Sequence, residues 1–203
     1  MVVKVKICGL TRPDDAALAV ALGATHVGCV LAPDSPRTVG VKTVRAVFDA
    51  AKGAMCVLVC RRVDVAAVVL AARAAAADAV QLHGYGEDAL TEFEHAGLRV
   101  IRVYALAPDQ GVLPTLAPEP TEERPAVLDL GPGGTGRSFR WEVLRGDAPR
   151  ATFVAGGVRP ENLRFLREHH PWGIDVSSGV ESAPGRKDPE RLRLLFEEVR
   201  SWA

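Results

Sequence analysis

A short, strongly apolar run followed by a segment of helical periodicity recurs along the whole of this chain, and that alternation leaves few folds open. Runs at 2–8, 26–31, 55–60, 78–82, 99–104, 126–130, 151–155 and 173–177 read as strands. Segments near 13–22, 41–51, 64–76, 86–96, 160–169 and 188–201 read as helices. After the fifth and sixth runs, Pro108, Pro114, Pro118 and Pro120 admit only short helical pieces. Strands that alternate with helices predict a parallel sheet. Eight of them at a spacing of about 25 residues predict closure into a (β/α)8 barrel. The 203 residues are then one barrel domain, 1–203, near the lower size for that fold. A doubly wound open sheet is the alternative.

In such a barrel, chemistry is confined to the C-terminal ends of the strands and the loops that follow them. The first strand already shows the pattern. Val3, Val5 and Ile7 share one face, while Lys4, Lys6 and Cys8 share the other. Cys8 is the last residue before Gly9 turns the chain, and Pro13 suits a helix start. A thiol at the lip of a strand that also carries lysines is poorly explained by packing. The other cysteines read as small buried hydrophobes. Cys56 and Cys60 share a strand, where four residues span roughly 13 Å, too far for a bridge. No Cys/His cluster has zinc spacing, so no metal site is expected.

The balance of charge removes other classes of function. Lys plus Arg and Asp plus Glu number 25 each, so no overall field points to nucleic acid or to an acidic membrane surface. The most apolar stretch, 65–82, is interrupted by Arg73 and Asp78 and does not read as a membrane span. The chain enters strand directly with no signal-like segment, which points to a cytoplasmic protein. Nothing in the helices locates an apolar interface, so a monomer and a homodimer are both compatible.

The unusual residues fall where the barrel would need them. Gly156-Gly157 follows strand 7 and Ser177-Ser178-Gly179 follows strand 8, the two loops from which such barrels commonly build a phosphate cradle. Glycine lets backbone N–H groups approach an anion, and a helix starting after Gly179 would aim its positive end there. Tight turns alone would also explain either loop. Asp129 at the end of strand 6 and Cys8 form a candidate acid/base pair, as moving a proton within one molecule requires. Lys6 would favour the thiolate of Cys8. Asp175, on the strand that closure sets beside strand 1, is expected to pair with Lys6 beneath the site or to contact a sugar hydroxyl. Arg37, after Pro36, could fork onto a carboxylate or stand solvated in its loop. His83 could touch a ligand or be satisfied in the barrel lip. His26, His95, His169 and His170 read as surface or structural.

Together these blocks resemble the phosphoribosylanthranilate isomerases of tryptophan biosynthesis. The resemblance rests on Lys6-Ile7-Cys8-Gly9-Leu10-Thr11, Ser35-Pro36-Arg37, Val80-Gln81-Leu82-His83-Gly84, and Leu128-Asp129 followed by Gly133-Gly134-Thr135-Gly136 and Phe139-Arg140-Trp141. It continues through Ala155-Gly156-Gly157 and Asp175-Val176-Ser177-Ser178-Gly179-Val180-Glu181, then Pro184-Gly185 and Lys187-Asp188, so it covers nearly the whole chain in order. It implies a cofactor-free Amadori rearrangement of a phosphorylated small molecule. By that likeness Asp129 is the general acid, Cys8 the general base and Arg37 the holder of the anthranilate carboxylate, with the glycine and serine loops on the phosphate. Two departures stand out. Cys29 and Leu31 occupy positions where members often carry Phe, which is expected to alter packing near the anthranilate ring. Tyr85-Gly86 stands where an acidic residue commonly follows the His-Gly, which is expected to reshape the loop after strand 4. A metal-dependent pentose-phosphate epimerase would need several His and Asp ligands at strand ends, which the sequence lacks. A non-catalytic binding relative would need neither Cys8 nor Asp129.

Overall fold

The computed structural model describes residues 3–130, 140–144 and 148–202. Eight parallel strands close into a barrel in sequence order: β1 (Lys4–Ile7), β2 (His26–Leu31), β3 (Met55–Arg61), β4 (Ala79–His83), β5 (Val100–Leu106), β6 (Ala126–Leu130), β7 (Thr152–Val154) and β8 (Gly173–Val176). The seam is the parallel pairing of β1 with β8, in which Lys6 stands opposite Asp175. The open-sheet alternative is excluded by that closure.

Helices α1 (Pro13–Leu22), α2 (Val41–Ala50), α3 (Val65–Ala75), α4 (Glu87–His95), α5 (Leu163–Arg167) and α6 (Pro189–Arg200) lie where helices were expected. Their starts follow local chemistry. Pro13 opens α1, the Asp64 carboxylate accepts from the Ala67 N–H at the head of α3, and Asp188 caps α6 by accepting from Glu190 and Arg191. No described helix is long and apolar enough to cross a membrane.

Several expectations give way. The helix expected over 160–169 is a 3-10 turn (Pro160–Asn162) running into the short α5. Residues 107–125 after β5 form turns and bends instead of helical pieces. Among the described residues between β6 and β7, a 3-10 turn, Trp141–Leu144, buries Trp141, Val143 and Leu144. The Gly133-Gly134-Thr135-Gly136 and Phe139 portion of the resemblance, and the expected first strand residue Val2, lie outside the described residues. After β8, the helix start expected at Gly179 is one 3-10 turn, Ser178–Val180. A hairpin of β9 (Glu181–Ala183) and β10 (Arg186–Lys187) then intervenes before α6.

Two cores result. One lies between strands and helices and takes in Val5, Ile7, Val27, Cys29, Leu58, Leu128 and Ile174. The other takes in Val57, Ile101, Val127, Phe153 and Trp172. The Phe153 ring packs edge-on against His26 at 4.9 Å and Trp172 at 5.1 Å. It fits because residue 173 is glycine: a Cβ there would sit 2.7 Å from Phe153 Cδ1.

Candidate active site

The strand ends meet around one cavity. Cys8 lines it from the end of β1, Arg37 from the loop after β2, His83 from β4 and Asp129 from β6. Gly156 and Gly157 enter from the loop after β7, and Asp175, Ser177 and Ser178 from β8 and beyond. Gly179 alone of the expected residues stays outside the lining.

Strand parity delivers Lys6 and Cys8 to the inside. Lys6 is fully buried, and its Nζ donates to Asp175 Oδ2 at 2.8 Å, the pair expected beneath the site. Burial pulls the Lys6 ammonium down, but Asp175 and Cys8 outweigh it and its pKa is raised. The expected pull of Lys6 toward the Cys8 thiolate is present but outweighed. Desolvation pushes the thiol up, Lys6 and Lys187 only partly oppose it, and Asp175 adds to the rise. Gly28 on β2 clears the space: a Cβ there would lie 3.1 Å from Cys8 Sγ and 3.3 Å from Lys6 Nζ.

Asp129 is buried, and its Oδ1 accepts from the Leu130 N–H at 2.7 Å. Burial, with Asp175 nearby, raises its pKa to about 7 against the pull of the Leu130 N–H and Lys6. It therefore holds a proton at a pH where ordinary carboxyls have lost theirs. His83 is pushed down to about 4, chiefly by burial and then by Lys6 and Arg61, so its imidazole is neutral. Its Nε2 lies 2.8 Å from Gln81 Nε2, so it is satisfied in the lip, and its side chain faces the cavity. Gln81 Oε1 and Asp175 Oδ1 are buried acceptors with no partner among the described residues.

The loops after β7 and β8 interlock. Gly156 and Gly157 both take left-handed backbone, φ 84° and 67°. Gly179 lies so close to the other loop that a Cβ would sit 2.0 Å from the Val158 carbonyl oxygen. Its role is to let the two loops touch.

Arg37 is not a mobile loop arginine. Its own loop is tied down by the Ser35 hydroxyl, which accepts from the Arg37 N–H at 3.2 Å, and by Thr38, which accepts from the Ala32 N–H at 2.8 Å. Its guanidinium forks onto Glu181, Nε to Oε1 at 2.9 Å and Nη2 to Oε2 at 2.7 Å. Lys187 Nζ donates to the same carboxylate at 2.8 Å.

Sequence reasoning quoted Gln81, Glu181 and Lys187 without assigning them roles, and it passed over Gly28 and Arg61. Parity would have found Gln81 and Arg61, each two residues from a partner on the inward face of its strand. A glycine in mid-strand flags Gly28. Cys29 and Leu31 pack toward the helices and not near the cavity, so that departure acts on the outer core. Tyr85 bolts two loops together: its hydroxyl donates to Val63 O at 2.6 Å, accepts from Val63 N–H at 3.2 Å, and its ring packs on Phe93.

The chain matches the family model of N-(5'-phosphoribosyl)anthranilate isomerase over residues 5–198. It is 40% identical to the N-(5'-phosphoribosyl)anthranilate isomerase of Rhodopseudomonas palustris strain HaA2, covering 99% of this chain and 97% of that protein. It is 35% identical to the tryptophan biosynthesis protein TrpCF of Yersinia pestis, where 97% of this chain spans only 41% of the relative. The crystal structure of the Thermus thermophilus phosphoribosyl anthranilate isomerase superposes with a TM-score of 0.83 at 34% identity, covering 98% of this chain and 100% of that one. A further isomerase, solved in complex with reduced 1-(o-carboxyphenylamino)-1-deoxyribulose 5-phosphate, gives a TM-score of 0.79 at 25% identity, over 98% of this chain and 99% of its own. With the family model spanning nearly the whole barrel, this chain belongs to the phosphoribosylanthranilate isomerase family.

Proposed function

We propose that the whole chain serves as one catalytic domain that converts N-(5-phosphoribosyl)anthranilate to 1-(2-carboxyphenylamino)-1-deoxyribulose 5-phosphate, in the cytoplasm, as a step of tryptophan biosynthesis. Asp129 is the general acid. It protonates the ribose ring oxygen, the C1–O bond breaks, and the anilino nitrogen lone pair forms the C1=N iminium. Cys8, as thiolate, then takes the C2 proton. The C2–H electrons become the C1=C2 bond of an enolamine, and the nitrogen regains its lone pair. Ketonisation moves the enol proton to C1 and leaves the product ketone. The sum is an isomerisation that moves only protons and electron pairs.

The single observation that carries this reading is the pairing, around one cavity, of a carboxyl protonated to about pH 7 with a thiol at the lip of β1. The thiol starts protonated, and the iminium formed in the first step favours its ionisation; its proton passes to solvent, from which Asp129 regains the proton it gave, and the C2 proton restores the thiol. Ribose hydroxyls would donate to Asp175 Oδ1 and Gln81 Oε1, which are otherwise unpartnered among the described residues. The phosphate would rest on the Gly156-Gly157 and Ser177-Ser178 backbone, and Arg37 would take the carboxylate. Both non-reacting ends are thereby anchored while C1–C2 lies between acid and base.

Substrate generated in place and followed by loss of its fluorescence, with chelator present, tests the reading. Wild type should turn over. Cys8→Ala and Asp129→Asn should each lose about 10²–10⁴-fold in kcat while still binding the reduced product analogue. An inactive wild type that binds the analogue would overturn the assignment.

A further inference from the structure

The Lys187 ammonium is fully buried, and each of its three protons has an acceptor: Cys8 O at 2.6 Å, Ser177 O at 3.1 Å and Glu181 Oε1 at 2.8 Å. Glu181 in turn holds the Nε–Nη2 edge of Arg37 and accepts from the Gly185 N–H at 3.3 Å. The lysine backbone is fixed as well, since its N–H donates to the buried Asp15 carboxylate at 3.0 Å. Thr11 closes the same knot by donating to Gly185 O at 2.5 Å. One chain of contacts therefore runs from the loop after β2, through the β9–β10 hairpin, to the carbonyl of Cys8.

Two features of this knot bear on function. Glu181 takes one edge of the guanidinium and leaves the terminal Nη1–Nη2 fork for a ligand, and Arg37 lines the cavity. Two cations also share the Glu181 carboxylate, so neither Arg37 nor Glu181 can swing without breaking a bond to the other or to Lys187. Burial pulls the Lys187 ammonium down, and Glu181 and Cys8 oppose that fall.

We propose that Lys187 and Glu181 are positioning residues: they aim the terminal fork of Arg37 at the ring carboxylate and hold Cys8 in register with it. The inference rests on the function proposed above. Its consequence is specificity, because discrimination for a carboxylate-bearing aryl group is built from residues that never touch the ligand.

The test uses two ligands that differ only in the ring carboxylate, the reduced product analogue and its phenylamino counterpart, titrated calorimetrically into the full chain. Wild type should prefer the carboxylate form by tenfold or more. Lys187→Met should cut that preference to about twofold while leaving the Kd of the phenylamino ligand within about threefold, the scale of one charge-assisted hydrogen bond. Arg37→Ala should do the same, and adding Lys187→Met to it should cost nothing more, since both act through one fork. Glu181→Gln, which keeps shape and removes one of the two acceptor oxygens that fix the guanidinium, should also lose preference, and Lys187→Arg should keep more of it than Lys187→Met. Equal weakening of both ligands, or additive losses in the double variant, would assign the knot a structural role and overturn the proposal. Should Lys187→Met not fold, the Glu181→Gln and Lys187→Arg pair decides by the same ratio. Because the readout is binding, an inactive wild type counts against the reaction and leaves this inference to the ligand ratio.

Discussion

Asp129 and Cys8 owe their chemistry to burial, and burial has a measurable cost. The Asp129 carboxyl moves from 3.8 to about 7 on folding, which corresponds to on the order of 4 kcal/mol. Between those two values the folded protein holds more protons than the unfolded chain, so this contribution to stability falls as pH rises from 3.8 to about 7 and then levels off. Asp129→Asn keeps the Oδ1 acceptor for the Leu130 N–H and removes the ionisation. The variant should therefore melt close to wild type at pH 4 and several degrees above it at pH 8, while losing turnover. A Tm difference independent of pH would show that the carboxyl is not perturbed in this way. Cys8 makes a complementary case. Its pKa is raised by burial and held back by Lys6 and Lys187. Its alkylation by iodoacetamide should rise with pH and still be rising above pH 9, the ordinary thiol value. Reaction at full rate by pH 8 would mean a resting thiolate.

At the scale of elements, the interlock of the loops after β7 and β8 makes a sharper test than either loop alone. Gly179→Ala would set a Cβ 2.0 Å from the Val158 carbonyl oxygen, and backbone cannot yield as a side-chain tip can. The two loops must part, and KM should rise by about tenfold or more through the phosphate end, with loss of competitive inhibition by inorganic phosphate. Gly53→Ala is the control. It too has left-handed backbone, φ 95°, yet a Cβ there meets nothing within 4 Å, so it should cost stability and leave KM unchanged. These loops also mark where sequence reasoning stops. The motif Ser177-Ser178-Gly179 suggested a ligand loop, and its glycine read as freedom to approach an anion. The structure places a second demand on that glycine, contact between loops, a fact about a partner 21 residues away in the chain that no local pattern carries. The hairpin of β9 and β10 was missed for a related reason. Its strands are only three and two residues long and largely polar, so period-two alternation has no room to appear, although Pro184-Gly185 is a turn signal.

Over the whole molecule, closure was legible because strands buried on both faces read as unbroken apolar runs, and six of the eight intervening segments carried clear helical patterns. The ion pair at the seam was reachable from parity and closure together, since a lysine inside β1 must meet whatever β8 presents. The Arg37–Glu181–Lys187 knot was not, because Arg37 and Glu181 are 144 residues apart and neither strand count nor periodicity pairs them. The seam pair links fold to function: β1 and β8 carry Cys8 and Asp175, and Lys6 bonded to Asp175 fixes their relative height. Removing one partner strands a charge in the interior. Lys6→Met should thus cost about 3–5 kcal/mol and lower the Tm by on the order of 10 °C. Lys6→Met combined with Asp175→Leu removes both charges, and it should recover most of that Tm, because well-packed apolar replacements of buried pairs are often neutral or stabilising. Activity should not return with it, since the double variant lacks Asp175 at the cavity wall and the Lys6 charge beneath Cys8. Recovery of stability and turnover together would mean that the pair serves only to close the barrel. Recovery of stability alone would mean that a charge pair more costly than an apolar seam is kept for the chemistry above it.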